Sequence, residues 1–194
     1  MAECNLIGLT GGIGAGKSVV ARVLRTKGYE VYDCDLQAKA LMEGSPELRE
    51  ALIGYFGEGC YGVDNSLNRS YLSQKIFSSH SDRTWLNRIV HKAVKEDLNQ
   101  WCREREGDLK FVESAILHTS GLDSLCSRIW LVTADEEIRF GRAMQRGGID
   151  EENIRARIKA QENEFDSLPQ SKVDVIDNSG DASLLQRIDS LLNF

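Results

Sequence analysis

The residues best suited to chemistry in this chain lie in the segment GGIGAGKS, residues 11–18. Gly11, Gly16, Lys17 and Ser18 match the pattern G-x-x-x-x-G-K-[ST]. Because glycine has no Cβ, consecutive backbone N–H groups can curl around an anion, and the following helix adds the positive end of its dipole. Lys17 is then expected to reach the β- and γ-phosphates of a nucleotide, and the Ser18 hydroxyl to bind Mg²⁺. The segment therefore predicts a nucleotide phosphate site.

The sequence around the glycines supports this interpretation. An apolar run at residues 6–10 precedes them and a periodic run at residues 19–24 follows, so the loop is predicted to join a strand to a helix, as a P-loop does. The alternative is a glycine-rich turn without a ligand, but such a turn needs only one or two glycines and no Lys-Ser pair. The residues predicted to bind the nucleotide here are Gly12, Ile13, Gly14, Ala15, Gly16, Lys17, Ser18 and Val19.

Acidic residues stand at the ends of two further predicted strands. A short second strand, residues 30–32, leads to Asp33 and Asp35, and a third strand, residues 109–113, ends at Glu113. Ligands of open α/β sheets bind at the carboxyl ends of the strands, so these positions favour a role in chemistry. Glu113 could hold Mg²⁺ through water. The alternative role for Asp33 is a helix N-cap or a turn, although Asp35 is the better cap candidate because a helical run follows it.

Strand and helix signals alternate along the chain, which is typical of a parallel sheet covered by helices. Fourth and fifth strands are predicted at residues 128–132 and 173–177, and a last helix at residues 181–193. We predict an α/β fold of the three-layer P-loop NTPase type, with a five-stranded parallel sheet flanked by helices. The whole chain, residues 1–194, is predicted to be a single domain that carries a helical insertion at residues 36–108.

A charged helical segment at residues 135–161 is interrupted by the glycine pair at 147–148. Arg142 and Arg146 lie one turn apart just before this interruption. A glycine break within a basic helix pair suits a mobile lid over ATP, which we assign to residues 139–165. The alternative is a solvated surface hairpin.

The composition excludes several classes of protein. Of the 194 residues, 41% are hydrophobic and only 2 are proline, which excludes a disordered or linker-rich chain. The formal net charge of -6 disfavours a nucleic-acid partner, and no apolar run is long enough to span a membrane. The cysteines form no C-x-x-C pair, so we expect reduced thiols, a cytoplasmic location and a monomer or small homo-oligomer. The cysteines are Cys4, Cys34, Cys60, Cys102 and Cys126.

In these residues the chain resembles the dephospho-coenzyme A kinases, which belong to the nucleoside-monophosphate-kinase branch of P-loop proteins. The resemblance implies transfer of the γ-phosphate of ATP to the ribose 3'-hydroxyl of dephospho-coenzyme A, with ATP and Mg²⁺ as cofactors and that small molecule as partner. It runs in order along nearly the whole chain. The segments that carry it are GLTGGIGAGKS at 8–18, VYDCD at 31–35, NRSYLSQKIF at 68–77, WLNRIVH at 85–91, RAMQR at 142–146, RIKAQ at 157–161 and VIDNSG at 175–180.

The resemblance also implies roles for individual residues. Asp33 would lie beside the acceptor ribose and accept the hydroxyl proton as a general base. Arg142 and Arg146 would contact the transferring phosphoryl group and the phosphates of ATP, with Lys17 as the fourth catalytic residue. Thr10 could contact the acceptor, although a β-branched strand end is an equally simple reason for it. The other implied contacts are Arg69 and His91 to the acceptor, Asn178 and Gly180 to adenine, and Ser18 and Glu113 to the metal.

Some positions depart from the pattern of this family. The chain has Asn68 before Arg69 where an acid is usual, Lys92 after the histidine where proline is usual, and Thr119 where an acid usually follows the third strand. Two other functions therefore stay open. One is another small-molecule kinase of the same fold, such as a shikimate, gluconate or nucleoside kinase, and the other is a nucleotide-dependent switch protein.

Overall fold

The computed structural model separates the chain into two compact units. The first comprises residues 1–33 and 106–194, and the second comprises residues 34–105. The insertion predicted for residues 36–108 overlaps the second unit, except for three residues that lie outside the described part of the chain. The structure describes residues 5–105, 109–148, 150–180 and 183–193.

Five parallel strands form one sheet in the first unit, which confirms the predicted fold. Their order across the sheet is β2-β3-β1-β4-β5. The chain leaves β1 towards β2 and leaves β3 towards β4, so the connections from two neighbouring strands diverge and open a crevice at their carboxyl ends. The strands are β1 (Asn5–Gly11), β2 (Glu30–Asp33), β3 (Leu109–Glu113), β4 (Arg128–Thr133) and β5 (Val173–Asp177).

Helices make up most of the remaining described chain, and none in the described ranges is long and apolar enough to cross a membrane. The last one was predicted from residue 181, but residues 181 and 182 lie outside the described part of the chain. The helices are α1 (Lys17–Thr26), α2 (Cys34–Gly44), α3 (Pro46–Phe56), α4 (Arg69–Ser78), α5 (His80–Glu104), α6 (Glu136–Arg146), α7 (Glu151–Ala160), α8 (Glu162–Asp166) and α9 (Leu184–Leu192).

The start of α2 differs from the sequence prediction. The helix begins at Cys34, directly after β2, so Asp35 lies in its first turn and not at its cap. The assignment of Asp35 as the cap is therefore wrong. It assumed a loop between strand and helix, whereas the last strand residue, Asp33, immediately precedes the helix. This position leaves Asp33 at the very end of the strand, where ligands of such sheets bind.

Side chains from the sheet and from two helices form the core of the first unit. The three central strands β1, β3 and β4 are largely buried, as expected for a parallel sheet with covered faces, whereas the edge strands β2 and β5 each have one buried residue. Helices α1 and α9 pack their apolar stripes against it, and this packing holds the start of α1 at the end of β1. The buried cluster includes Ile7, Leu9, Phe111, Trp130, Val132 and Ile176 from the strands, and Val20, Leu24, Ile188 and Leu191 from the helices.

The second unit has its own core, formed by α3 together with residues from α4, α5 and the connection at 58–67. Ser45 caps α3 by accepting a hydrogen bond from the N–H of Leu48 at 3.2 Å, and Pro46 is the first helical residue. The fully buried residues of this core include Leu52 and Cys60.

Helices α6 and α7 form the pair predicted between the last two strands. The chain turns between them at Gly147 and Gly148, whose φ angles of 68° and 80° favour glycine. This confirms the predicted interruption by the glycine pair. Residue 149 lies outside the described residues. Asp150 caps α7 by accepting from the N–H of Asn153 at 2.9 Å. A small apolar cluster joins the two helices and consists of Ala143, Ile154 and Ile158 with Ile13 and Phe140 packed against it.

Candidate active site

The loop between β1 and α1 has a backbone shape that requires glycine. Gly11, Gly14 and Gly16 have φ angles of 149°, 75° and 105°, in the region that L side chains rarely adopt. A Cβ at Gly11 would collide with the backbone of Val132, and one at Gly14 would collide with the backbone of Arg139. The loop is therefore closely enclosed by its neighbours, which hold its N–H groups in a defined arrangement.

The lysine and serine of the motif begin helix α1. Gly16 occupies the N-cap position and no side chain caps the helix start, so the dipole end of the helix faces the loop. Lys17 is half-buried, and its Nζ donates a hydrogen bond to the carbonyl oxygen of Gly11 at 2.6 Å. Its charge thus lies over the loop, while the Ser18 side chain is exposed. An oxyanion in the loop would meet the helix dipole and the ammonium group together.

Two acidic residues lie side by side at the carboxyl edge of the sheet. Asp33 pairs in register with Glu113, and Glu113 pairs with Leu9 near the end of β1. Neighbouring strands are about 4.8 Å apart and residues in register point to the same face, so the two carboxylates are neighbours. Both residues are half-buried. The sheet therefore places Glu113 on the strand next to the one that leads into the phosphate loop, and Asp33 beside Glu113 on the following strand.

The chemistry of these side chains fits a hard divalent cation. Ser18 and Glu113 offer oxygen ligands, which Mg²⁺ prefers, and Mg²⁺ usually keeps several waters or phosphate oxygens. Among the described residues, no three His, Cys, Asp or Glu side chains come together as a metal site. A cation at this edge would therefore need ligands from a nucleotide or water in addition to those of the protein.

A cavity of about 370 Å³ opens beside the loop. Arg142 enters it from α6, where its Nη2 donates to the backbone oxygen of Asn178 at 2.9 Å. The other terminal nitrogen, Nη1, is buried and has no hydrogen-bond partner among the described residues. Leaving such a donor unpaired costs about 1–3 kcal/mol, so an oxyanion is its natural partner. The cavity is lined by Gly16, Val19, Arg142, Gln145, Arg146 and Asn178.

The side chain of Asn178 connects this cavity to the loop. Its Nδ2 donates to the backbone oxygen of Ala15 at 2.8 Å, and a Cβ at Gly16 would collide with it. Its own N–H donates to the backbone oxygen of Thr133 at 2.8 Å, which fixes the turn after β5. Gly180 lies in the same turn with a φ of 119° and is exposed. Asn178 therefore supports both the phosphate loop and Arg142.

The remaining predicted residues fall in different parts of the molecule. Thr10 is fully buried, and its hydroxyl has no hydrogen-bond partner among the described residues. Arg146 is exposed at the end of α6. Arg69 is in the second unit, where it is exposed and forms an ion pair with Glu43 at 2.6 Å. Its contact with an acceptor, like that of His91, stays a prediction.

His91 lies half-buried on α5, and this burial lowers the pKa of its ring. The ring is therefore neutral at pH 7, and any contact it makes with an acceptor is a neutral hydrogen bond. Because the unfolded chain titrates near the ordinary histidine pKa of about 6.5, it binds the proton more readily than the folded protein does. The stability that depends on a neutral His91 is therefore present above the unfolded pKa. It is lost as the pH falls from there through the lower pKa of the folded protein.

We therefore expect the melting temperature of His91→Gln to fall less than that of the unaltered protein between about pH 7.5 and pH 5.5. Thermal unfolding at both pH values measures this difference. His80→Gln is the matched control, since His80 begins the same helix but is exposed. An equal fall in the unaltered protein and His91→Gln would mean that protonation of His91 does not oppose folding.

Three contacts near the loop were missed by the sequence analysis. Gln161 accepts a hydrogen bond from the N–H of Ile13 at 2.8 Å, and Arg139 donates to the carbonyl oxygen of Ile13 at 3.2 Å. Glu164 is buried and accepts from the N–H and the hydroxyl of Thr119, at 3.1 Å and 2.6 Å. Thr119 stands where the family usually has an acid, and here Glu164 from α8 supplies a carboxylate in contact with it. The sequence signal for Gln161 was its place at the end of RIKAQ; for Glu164 there was none.

Comparison with known proteins gives a consistent result. The family model "Dephospho-CoA kinase" matches residues 5–183. A dephospho-CoA kinase from Porphyromonas gingivalis is 48% identical over 158 residues, which is 81% of this chain and 78% of the relative. A dephospho-CoA kinase from Bacteroides fragilis is 35% identical over 189 residues, which is 97% of this chain and 91% of the relative. The solved structure of a dephospho-CoA kinase from Campylobacter jejuni has the same fold, with a TM-score of 0.70 at 20% identity. The match covers 97% of this chain and 95% of the solved chain.

Proposed function

The chain belongs to the dephospho-CoA kinase family and is an ATP-dependent kinase, and we propose that its catalytic site is the carboxyl edge of the sheet in the first unit. The reaction is transfer of the γ-phosphate of ATP to the ribose 3'-hydroxyl of dephospho-CoA. The observation that carries the proposal is the register pairing of Asp33 with Glu113, beside the strand that enters the phosphate loop. This pairing supports the proposal because Asp33, which is not part of the loop, then lies at the edge of the sheet where the nucleotide is proposed to bind.

Lys17 and Arg142 stabilise the charge of the transferring group. Phosphoryl transfer needs positioning and electrostatic stabilisation more than covalent chemistry by the protein. The loop N–H groups and the Lys17 ammonium bind the phosphates, and the buried Nη1 of Arg142 supplies a further donor. Arg146, which is exposed, joins them from the same helix. Val19, Asn178 and Gly180 border the adenine.

Asp33 acts on the acceptor. Its carboxylate accepts the proton of the 3'-hydroxyl as that oxygen attacks the γ-phosphorus, and ADP leaves. If Mg²⁺ binds, Ser18 and Glu113 would hold it, Glu113 through water, and it would neutralise charge on the phosphate oxygens. Thr10 is the further residue assigned to the acceptor; its side chain is fully buried, and its hydroxyl has no hydrogen-bond partner among the described residues. Arg69 and His91 are the further residues proposed to contact the acceptor.

The position of the new phosphate tests this function. Phosphorus NMR of the product formed from ATP and dephospho-CoA is expected to show one new phosphate monoester on the ribose 3' position, in amounts equal to the ADP formed. Phosphate on another hydroxyl would contradict the proposed acceptor geometry. ADP without a phosphorylated product would indicate hydrolysis alone.

Residues 139–165 are the proposed lid, supported by the Arg142 contact with Asn178 and by the glycine turn at 147–148. We expect a non-hydrolysable ATP analogue to slow amide hydrogen exchange in residues 141–161, because the arginines then bind phosphate. Residues 184–192, in α9, are the internal control and are expected to exchange equally with and without the analogue. Equal exchange of residues 141–161 in both states would favour a solvated hairpin.

The proposed location of this enzyme is the cytoplasm, as a monomer or small homo-oligomer. The support for a reducing compartment is that Cys34, Cys60, Cys102 and Cys126 form no disulfide bond within the described part of the chain. Cys4 lies outside the described residues.

A further inference from the structure

Ile13, the third residue of the phosphate loop, is held by three separate contacts. Its N–H donates to Oε1 of Gln161 at 2.8 Å, and its carbonyl oxygen accepts from Nε of Arg139 at 3.2 Å. Its side chain packs against the apolar cluster that joins α6 and α7. All three contacts come from the segment that contains the proposed lid, although they are more than 120 residues away in sequence.

The two polar contacts come from opposite ends of this helix pair. Arg139 lies in the first turns of α6, and Gln161 follows the last residue of α7. Arg139 lies directly on the loop, because a Cβ at Gly12 would collide with its guanidinium and a Cβ at Gly14 would collide with its backbone. Both ends of the pair therefore converge on Ile13.

The hydrogen bond from Gln161 also determines how the loop can use its N–H groups. An N–H donated to a side-chain oxygen is not available to a phosphate, so the Ile13 N–H is removed from the groups that can bind one. The same bond fixes the orientation of the Ile13 peptide, and therefore the direction in which the chain enters the turn at Gly14. Without it, the loop would pay conformational entropy to adopt this shape when the nucleotide binds.

We propose that Gln161 is a positioning residue for phosphoryl transfer: it holds the Ile13 peptide so that the loop is preorganised for ATP, and it joins the base of the lid to the loop. This inference rests on the proposed function of the site, since it concerns how the same loop binds ATP. Ile13 then connects the loop to the lid: its side chain packs among lid residues, and its N–H and carbonyl oxygen are both hydrogen-bonded to lid side chains.

The test compares two replacements of Gln161. Gln161→Met keeps the length of the side chain but removes the acceptor oxygen, whereas Gln161→Glu keeps an acceptor for the Ile13 N–H. Gln186→Met, at an exposed position of α9, is the control for the same exchange of side chains. Three quantities are measured without any acceptor substrate: ATP affinity by calorimetry, exchange of the Ile13 amide by NMR, and the melting temperature.

Gln161→Met is expected to weaken ATP binding about five- to tenfold and to speed exchange of the Ile13 amide about tenfold, as expected for loss of one directed hydrogen bond. Gln161→Glu is expected to restore slow exchange, and Gln186→Met to match the unaltered protein. In turnover, the KM for ATP should rise while the KM for dephospho-CoA changes less than about twofold.

Unchanged ATP affinity and unchanged Ile13 exchange in Gln161→Met would overturn the proposal. So would a fall in melting temperature with equal losses for both substrates, because that would be a general structural effect. Failure of the proposed function is a separate result: if the unaltered protein binds ATP but forms no ADP in the presence of dephospho-CoA, the assignment of the reaction is wrong, while the calorimetric and exchange measurements still decide the role of Gln161.

Discussion

Replacing Asp33 with Asn is expected to lower kcat about a hundredfold, while the ATP dissociation constant changes less than about threefold. Asn has almost the same shape as Asp but cannot accept the hydroxyl proton at neutral pH. General-base assistance is typically worth about two to four orders of magnitude, and a loose phosphoryl-transfer transition state needs less of it. The lower end of that range is therefore expected. In the proposed site, ATP is bound mainly by the loop after β1, whereas Asp33 ends β2.

A coupled assay of ADP formation measures kcat, and calorimetric titration measures ATP affinity. Asp35→Asn is the matched control, since Asp35 is exposed in the first turn of α2, only two residues further along. It is expected to keep nearly full activity and to lose at most about 1 kcal/mol of stability through its weaker interaction with the helix dipole. An unchanged kcat in Asp33→Asn would reduce Asp33 to a turn residue. A large loss of ATP affinity would move its role to the metal site.

Lys17→Ala is expected to lower kcat/KM at least about a hundredfold, because the ammonium group over the loop stabilises negative charge in the transition state. In the structure this group is hydrogen-bonded to the loop itself, at Gly11, and it is only half-buried. Thermal unfolding should therefore change little.

The control for the loss of one positive charge is Arg22→Ala, which removes an exposed cation from the same helix. It is expected to keep kcat/KM within about threefold of the unaltered protein, since exposed charges at a distance are screened by salt. Activity within a few-fold in Lys17→Ala would contradict the role of the loop in phosphate binding. A parallel loss of stability and activity would instead indicate that Lys17 supports the loop structure.

Local patterns were sufficient to predict the sheet and the phosphate loop. The central strands are short apolar runs, and Gly11, Gly14 and Gly16 of the predicted loop have positive φ angles that favour glycine. The interruption at Gly147 and Gly148 was predicted for the same reason, because glycine marks such turns within a few residues.

Contacts that depend on tertiary structure could not be predicted in this way. The pairing of Asp33 with Glu113 follows from the order of strands in the sheet, which the sequence does not encode locally. The acid at Glu164 contacts Thr119 from 45 residues away, and Gln161 contacts Ile13 from 148 residues away. Their sequence neighbourhoods are those of ordinary polar helix residues, so only the folded chain identifies these partners.

The acceptor roles of Arg69 and His91 stay predictions. Arg69 is exposed and already paired with Glu43, and an exposed ion pair of this kind is worth only about 0–1 kcal/mol. An anionic acceptor could therefore displace Glu43 at little cost. His91 offers a neutral ring at pH 7, because burial lowers its pKa.

The most direct test of the assigned reaction is the rate of ADP formation from ATP with dephospho-CoA, shikimate, gluconate, a nucleoside or no acceptor. Dephospho-CoA is expected to raise the rate at least about a hundredfold above the rate without acceptor, since water is then the only competing nucleophile. The other acceptors should leave the rate near that background. Equal rates with and without dephospho-CoA, or a higher rate with another acceptor, would contradict the assignment.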